Sequence, residues 1–97
     1  YRIGAGEIES ALLGHPAVAE SAVVGAPDAD LGQRIIAHVV LAAGTQRSPQ
    51  LAAALVDHVA AELSAHKRPR AIVFTNSLPR NEMGKVQKAR LVDAAGD

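Results

Sequence analysis

The 97-residue chain is 48% apolar, which is enough for one small buried core and too little for a second domain. Ten basic residues balance ten acidic ones, so no net field holds nucleic acid or an anionic membrane, and the absence of cysteine excludes a disulfide framework, a thiolate metal site and a cysteine nucleophile. One Tyr and one Phe offer too few aromatic faces for stacked-base recognition. No apolar run approaches the roughly 18 residues of a membrane span, and the chain is expected to be soluble and cytoplasmic.

Taken in chain order, Tyr1-Arg2-Ile3-Gly4 reads as the end of a strand or hairpin arm. Residues 6–13 place Ile8, Ala11 and Leu12 on one helical face, with Glu7 and Glu9 as an acidic pair at the positive end of the helix dipole. Gly14 is expected in the left-handed position that ends such a helix, and Pro16 follows it. Val18 to Gly25 and Arg34 to Leu41 read as strands, joined by the turn chemistry of Pro27-Asp28-Ala29-Asp30-Leu31-Gly32. Ser48 and Pro49 fit the N-cap and first position of a longer helix. Along it Ala52, Leu55, Val56, Val59 and Leu63 form the buried stripe, leaving Asp57, His58, Ala61 and Glu62 to water. Ala71 to Phe74 is a short strand, Asn76 to Pro79 a turn, residues 80–84 a polar loop, and Lys88 to Ala95 a terminal helix. The expected fold is α+β: a small mixed three-stranded sheet with helices packed on it and a short N-terminal hairpin strand.

Positive charge gathers in one quarter of the chain. Residues 66–90 contain Lys67, Arg68, Arg70, Arg80, Lys85, Lys88 and Arg90 against Glu82 alone. Such a segment suits a phosphate, carboxylate or polyphosphate, and equally a solvated basic face. Gly84-Lys85 sits on the polar loop, where glycine lets backbone approach an anion and lysine supplies a mobile point charge. It is not a P-loop, because Pro79 and Val86 occupy the positions that need glycine and Ser or Thr. His15, His38, His58 and His66 lack metal-ligand spacing, and none of the five serines stands in a Gly-x-Ser-x-Gly context.

These pieces, met in order, resemble a known family. Tyr1-Arg2-Ile3-Gly4 with Glu7-Ile8-Glu9, His15-Pro16-Ala17-Val18, Pro27-Asp28 before Gly32-Gln33, His66-Lys67-Arg68-Pro69, and Leu78-Pro79-Arg80-Asn81 running to Gly84-Lys85 look like the mobile C-terminal domain of adenylate-forming acyl-CoA synthetases. Within that superfamily the wording is most similar to actinobacterial malonyl- or methylmalonyl-CoA synthetases and to fatty-acid-CoA ligases. Gly6 stands where many relatives carry proline.

The resemblance implies that residues 1–97 are the lid of a larger two-domain enzyme, inactive alone, whose N-terminal domain carries the ATP and acyl pockets. A carboxylate would attack the α-phosphate of Mg-ATP, and the thiol of coenzyme A would then displace AMP from the acyl-adenylate. By the same resemblance Lys85 is the catalytic lysine of the first step, and Tyr1, Arg2 and Gly4 line the pantetheine path of the second. ATP, Mg2+ and coenzyme A belong to the intact parent, with none bound by this domain alone, and the acid is a small dicarboxylate or a fatty acid. Lys67 and Arg68 are open between CoA phosphates, a solvated loop and interdomain salt bridges. Two alternatives remain: a ligase loading a carrier-protein thiol, and a non-catalytic module that docks an anionic partner.

Overall fold

The computed structural model describes residues 4–28 and 32–95. Helix α1 (Ala5–Leu13) leads into β1 (Val18–Asp28) and β2 (Gly32–Leu41), followed by α2 (Pro49–Glu62), one 3-10 turn (Ala65–Lys67), β3 (Ala71–Phe74) and α3 (Lys88–Ala95). The sheet order is β1-β2-β3, with β1 antiparallel and β3 parallel to the central β2. This is the α+β fold with a mixed three-stranded sheet that the sequence predicts. The expected N-terminal hairpin strand falls on Tyr1, Arg2 and Ile3, outside the described residues.

Two apolar layers follow from the period-2 alternation of strand side chains. On one face Val23 of β1 and Ile35, Ala37 and Val39 of β2 pack with Ile8 and Leu12 of α1 and Leu55 and Val59 of α2. On the other, Ala22, Val24, Ala26 and Ile36 pack with Leu78 and with Leu91 of α3. Central β2 is covered on both faces, which explains its nearly continuous apolar run.

Local chemistry sets several boundaries. Ser48 Oγ accepts the Leu51 N–H at 3.0 Å, and Pro49 takes the first helical position, as the sequence predicts for α2. The β1–β2 ladder extends further than expected, through Pro27 opposite Gln33 and Asp28 opposite Gly32. Proline is tolerated there because β1 is an edge strand and loses no ladder donor. Gly14 is a correction: its backbone is right-handed, at φ −71°, because its N–H still donates to Ser10 and Ala11 carbonyls in a tapering last turn.

β1 carries one irregularity near its start. Val18 pairs with Leu41 but Glu20 pairs with Val40, so Ala19 is an extra residue. The bulge turns Val18 onto the face of Val23 and α1, where it is buried, while Glu20 keeps the alternation that puts it with Ala22 and Val24.

Candidate functional site

The Gly84-Lys85 segment, expected as a polar loop, is a closed hairpin. An antiparallel bridge joins Arg80 to Val86, and the Asn81 N–H donates to the Lys85 carbonyl at 3.0 Å. The Asn81 side-chain Oδ1 accepts from the Met83 N–H at 2.9 Å and the Lys85 N–H at 3.0 Å. Gly84 supplies the left-handed residue, at φ 84°, that the reversal requires. Leu78, buried, and Val86, half-buried, seat the hairpin on the apolar face opposite α1 and α2.

Electrostatics separate the two cations of this hairpin, Arg80 and Lys85. Lys67 pairs with Glu7 at 2.7 Å, Lys88 with Glu9 at 2.7 Å, and Arg80 with Glu20. Acids of the first 20 residues thus neutralise three of the seven basic residues gathered in the last third of the chain. Lys85 is exposed and, among the described residues, has no side-chain hydrogen bond or ion pair. Met83, at the tip beside it, is 92% exposed. An ammonium without an internal counter-ion, on an ordered backbone, is available to an anion from outside the domain.

The other residues singled out by sequence fare differently. Tyr1 and Arg2 lie outside the described residues. Gly4 is the N-cap of α1 in a left-handed conformation, at φ 70°, and a Cβ there would sit 3.4 Å from Lys67 Nζ. Gly6 has open space around it and needs no glycine on steric grounds. Glu7 and Glu9 are more than a dipole pair: Glu9 also accepts the Val23 N–H at 2.8 Å, fastening α1 to β1. Lys67 is held by Glu7, while Arg68 is exposed.

His58 is a further correction. It is half-buried, its Nε2 lies 2.8 Å from the Ala11 carbonyl, and its ring meets His15 edge-on at 5.3 Å between centroids. The polar side of α2 faces the end of α1 there rather than water. His38 is buried, 4% exposed, with Nε2 lacking a hydrogen-bond partner, and burial pushes its pKa below the ordinary 6.5. Among the described residues no group of three His, Asp or Glu side chains is placed to hold a metal ion, and no helix is long and apolar enough to cross a membrane. A cavity of about 260 Å³ at the carboxyl ends of β2 and β3, bordered by Gly44, Arg47, Phe74 and Asn76, includes none of the residues singled out above.

Sequence reasoning located Lys85 but not what fixes it. Arg80 and Asn81 were visible only as part of a motif, although Asn three residues before a loop glycine is a recognised turn signal. Glu20 carried no signal at all.

Residues 7–85 match the model of the AMP-binding enzyme C-terminal domain. The chain belongs to this family. As an AMP-binding C-terminal domain it is 46% identical over 88 residues to the acetyl-coenzyme A synthetase of Rubrobacter xylanophilus, an alignment covering 91% of this chain and 14% of that enzyme. Its fold matches the acyl-CoA synthetase of Brucella canis with a TM-score of 0.93 and 49% identity, over 97% of this chain and 17% of that one. It also matches apo MatB from Rhodopseudomonas palustris, at 0.87 and 39%, over 96% and 18%. The domain thus spans less than a fifth of each of these proteins.

Proposed function

We propose that this domain is the catalytic lid of a larger, cytoplasmic, AMP-forming acyl-CoA synthetase, and that Lys85 serves its first half-reaction. There a carboxylate oxygen attacks the α-phosphorus of ATP and pyrophosphate leaves. In the second step the thiol of coenzyme A attacks the acyl carbonyl and AMP leaves. The observation that carries the reading is the Lys85 hairpin in a chain of this family: an ordered backbone bearing an exposed ammonium with no partner among the described residues.

The physics asks for such a group. Two anions, carboxylate and triphosphate, must approach for in-line attack, and a cation between them stabilises the charge that develops in the transition state. Lysine suits the task because its compact charge rides on a long stem and reaches across a domain boundary. Mg2+ would neutralise the phosphate oxygens. The described residues provide no carboxylate cluster for it, so its ligands are assigned to the nucleotide and the N-terminal domain.

Gly4 fits a place on the CoA path, where a left-handed glycine without a Cβ permits close approach of a pantetheine chain. Tyr1 and Arg2 are assigned to the same path by the family resemblance. α1, whose N-cap is Gly4, and the Lys85 hairpin pack on opposite faces of the sheet. Two functional faces suit a lid that offers one to adenylation and the other to thioester formation. The substrate is proposed to be a small dicarboxylate or a fatty acid. An anion-docking module is less well supported, because Lys67, Arg80 and Lys88 spend their charge inside the domain.

The test is pyrophosphate exchange and thioester formation by the full-length enzyme, wild type beside Lys85→Ala, over acetate, malonate, methylmalonate and longer acids. Exchange in the variant is expected to fall at least about 100-fold, as for loss of a transition-state charge partner. Thioester formation from preformed acyl-adenylate should survive. The isolated domain should catalyse neither step, and free CoA set against a carrier-protein thiol identifies the acceptor. Equal exchange by both proteins removes Lys85 from the chemistry.

A further inference from the structure

Glu20 stands at the end of the regular β1–β2 register, on the sheet face that carries Ala22 and Val24. The pairings from Glu20 opposite Val40 to Asp28 opposite Gly32 keep one register, and the extra residue at Ala19 shifts only Val18, which joins the face sealed by α1 and α2. Glu20 itself, opposite Val40, lies on the face where the Lys85 hairpin packs.

What Glu20 meets there is Arg80. One guanidinium nitrogen, Nη2, donates to Glu20 Oε1, and the other, Nη1, donates to the Gly84 carbonyl at 2.6 Å. That carbonyl belongs to the peptide joining Gly84 to Lys85. A single side chain therefore connects a strand of the sheet to the peptide immediately before the lysine. Asn81 completes the hold, accepting the Lys85 N–H through its side chain and donating its own N–H to the Lys85 carbonyl.

The Asn81 contacts by themselves close the hairpin, so the Arg80 and Glu20 link is not needed to form the turn. Both side chains are about two-fifths exposed, and ion pairs at such sites contribute little to global stability. Their geometry does something else: it fixes the orientation of the hairpin relative to β1 while leaving the lysine stem free.

We propose that Arg80 and Glu20 are positioning residues for Lys85, tying its hairpin to β1 so that the ammonium enters the reaction from one fixed origin. This rests on the reading of Lys85 as the lysine of adenylation. Neither residue touches substrate. Loosening them leaves the charge in place but spreads its position, and misplacement by about 1 Å is enough to slow a step about 100-fold.

The experiment uses the full-length enzyme with Arg80→Ala, Arg80→Lys, Glu20→Gln, the Arg80→Ala/Glu20→Gln double variant and Lys85→Ala. Pyrophosphate exchange, thioester formation from preformed acyl-adenylate and melting temperature are measured for each. Arg80→Ala should lower kcat for exchange roughly 10- to 100-fold with the KM for ATP little changed, since an interaction felt only in the transition state is what weakens. Glu20→Gln, which preserves shape, should lower it less, and Arg80→Lys should recover part of the loss. The double variant should be no worse than Arg80→Ala, because the two act as a unit. Thioester formation and melting temperature should stay near wild type throughout.

Wild-type exchange by Arg80→Ala and Glu20→Gln, with Lys85→Ala inactive, overturns the positioning role and leaves the reading of Lys85 intact. Equal losses in both half-reactions that track melting temperature also overturn it, in favour of a structural role. Wild-type exchange by Lys85→Ala overturns the underlying reading and the positioning role with it.

Discussion

The carboxylate of Glu9, on α1, accepts the backbone N–H of Val23, on β1, at 2.8 Å. β1 is an edge strand, and such strands present N–H groups that no ladder satisfies. Glu9 satisfies one of them, and its Oε2 also lies 2.7 Å from Lys88 Nζ of α3. Replacing Glu9 by Ala should therefore destabilise the domain by about 1–3 kcal/mol, mostly for the orphaned N–H. Glu9→Gln keeps an acceptor and loses only the ion pair, so it should cost under about 1 kcal/mol. Urea unfolding of the two variants checks the ordering, and equal losses would mean that the bond to Val23 contributes nothing.

His38 makes the stability of the domain depend on pH. Folded, its pKa is held below the ordinary 6.5 by burial, among a face that carries Ala22, Val24 and Ile36. Unfolded, it takes up a proton near 6.5. Between those two values the unfolded chain binds more protons, so stability falls as pH drops below 6.5, until the folded imidazole itself protonates. Nε2 has no hydrogen-bond partner, and leaving such a group buried costs about 1–3 kcal/mol. His38→Phe should thus be at least as stable as wild type at neutral pH and should lose less stability on acidification. Urea midpoints from about pH 7.5 down to about pH 5.5 measure the difference. Parallel curves for the two proteins would remove His38 as the source.

The elements that were legible in the sequence are those whose chemistry is local. Ser48 and Pro49 announce the start of α2 because an N-cap needs only its own next three residues. Ala71 to Phe74, Lys88 to Ala95 and the Lys85 loop stand out for the same reason. What escaped depends on partners far along the chain. The bulge at Ala19 exists only relative to β2, and the link from Glu20 to Arg80 spans 60 residues. The face of α2 that bears His58 reads as polar until α1 is placed against it. The β1–β2 ladder passes through Pro27, a residue whose local preference signals a stop, because an edge position removes the penalty.

The contact between His58 and Ala11 should hold the end of α1 against α2. The Ala11 carbonyl also accepts the Gly14 N–H, so the last turn of α1 retains one partner without the histidine. His58→Ala should cost about 1–2 kcal/mol through a lost hydrogen bond and lost packing. His58→Gln, with an amide donor of similar reach, should recover part of that. Hydrogen exchange at the amides of Gly14 and His15 should rise in the alanine variant and fall back in the glutamine one. Unchanged exchange in both would show that the contact does not secure this turn.

Gly84 tests how far the conformation of the hairpin, separately from its charge, serves Lys85. Its φ of 84° lies in the region where a Cβ strains the backbone, yet the space around it is open. Gly84→Ala therefore meets no steric neighbour and carries only the conformational penalty, about 1–2 kcal/mol. That strain is relieved by reopening the turn, which draws the Gly84 carbonyl from Arg80 and the Lys85 N–H from Asn81. Asn tolerates left-handed backbone better than Ala, so Gly84→Asn should lose less. In the full-length enzyme Gly84→Ala should depress pyrophosphate exchange more than Gly84→Asn does, while both leave thioester formation from preformed acyl-adenylate near wild type. Equal exchange by both variants and wild type would mean that the lysine acts from a loop whose shape is immaterial.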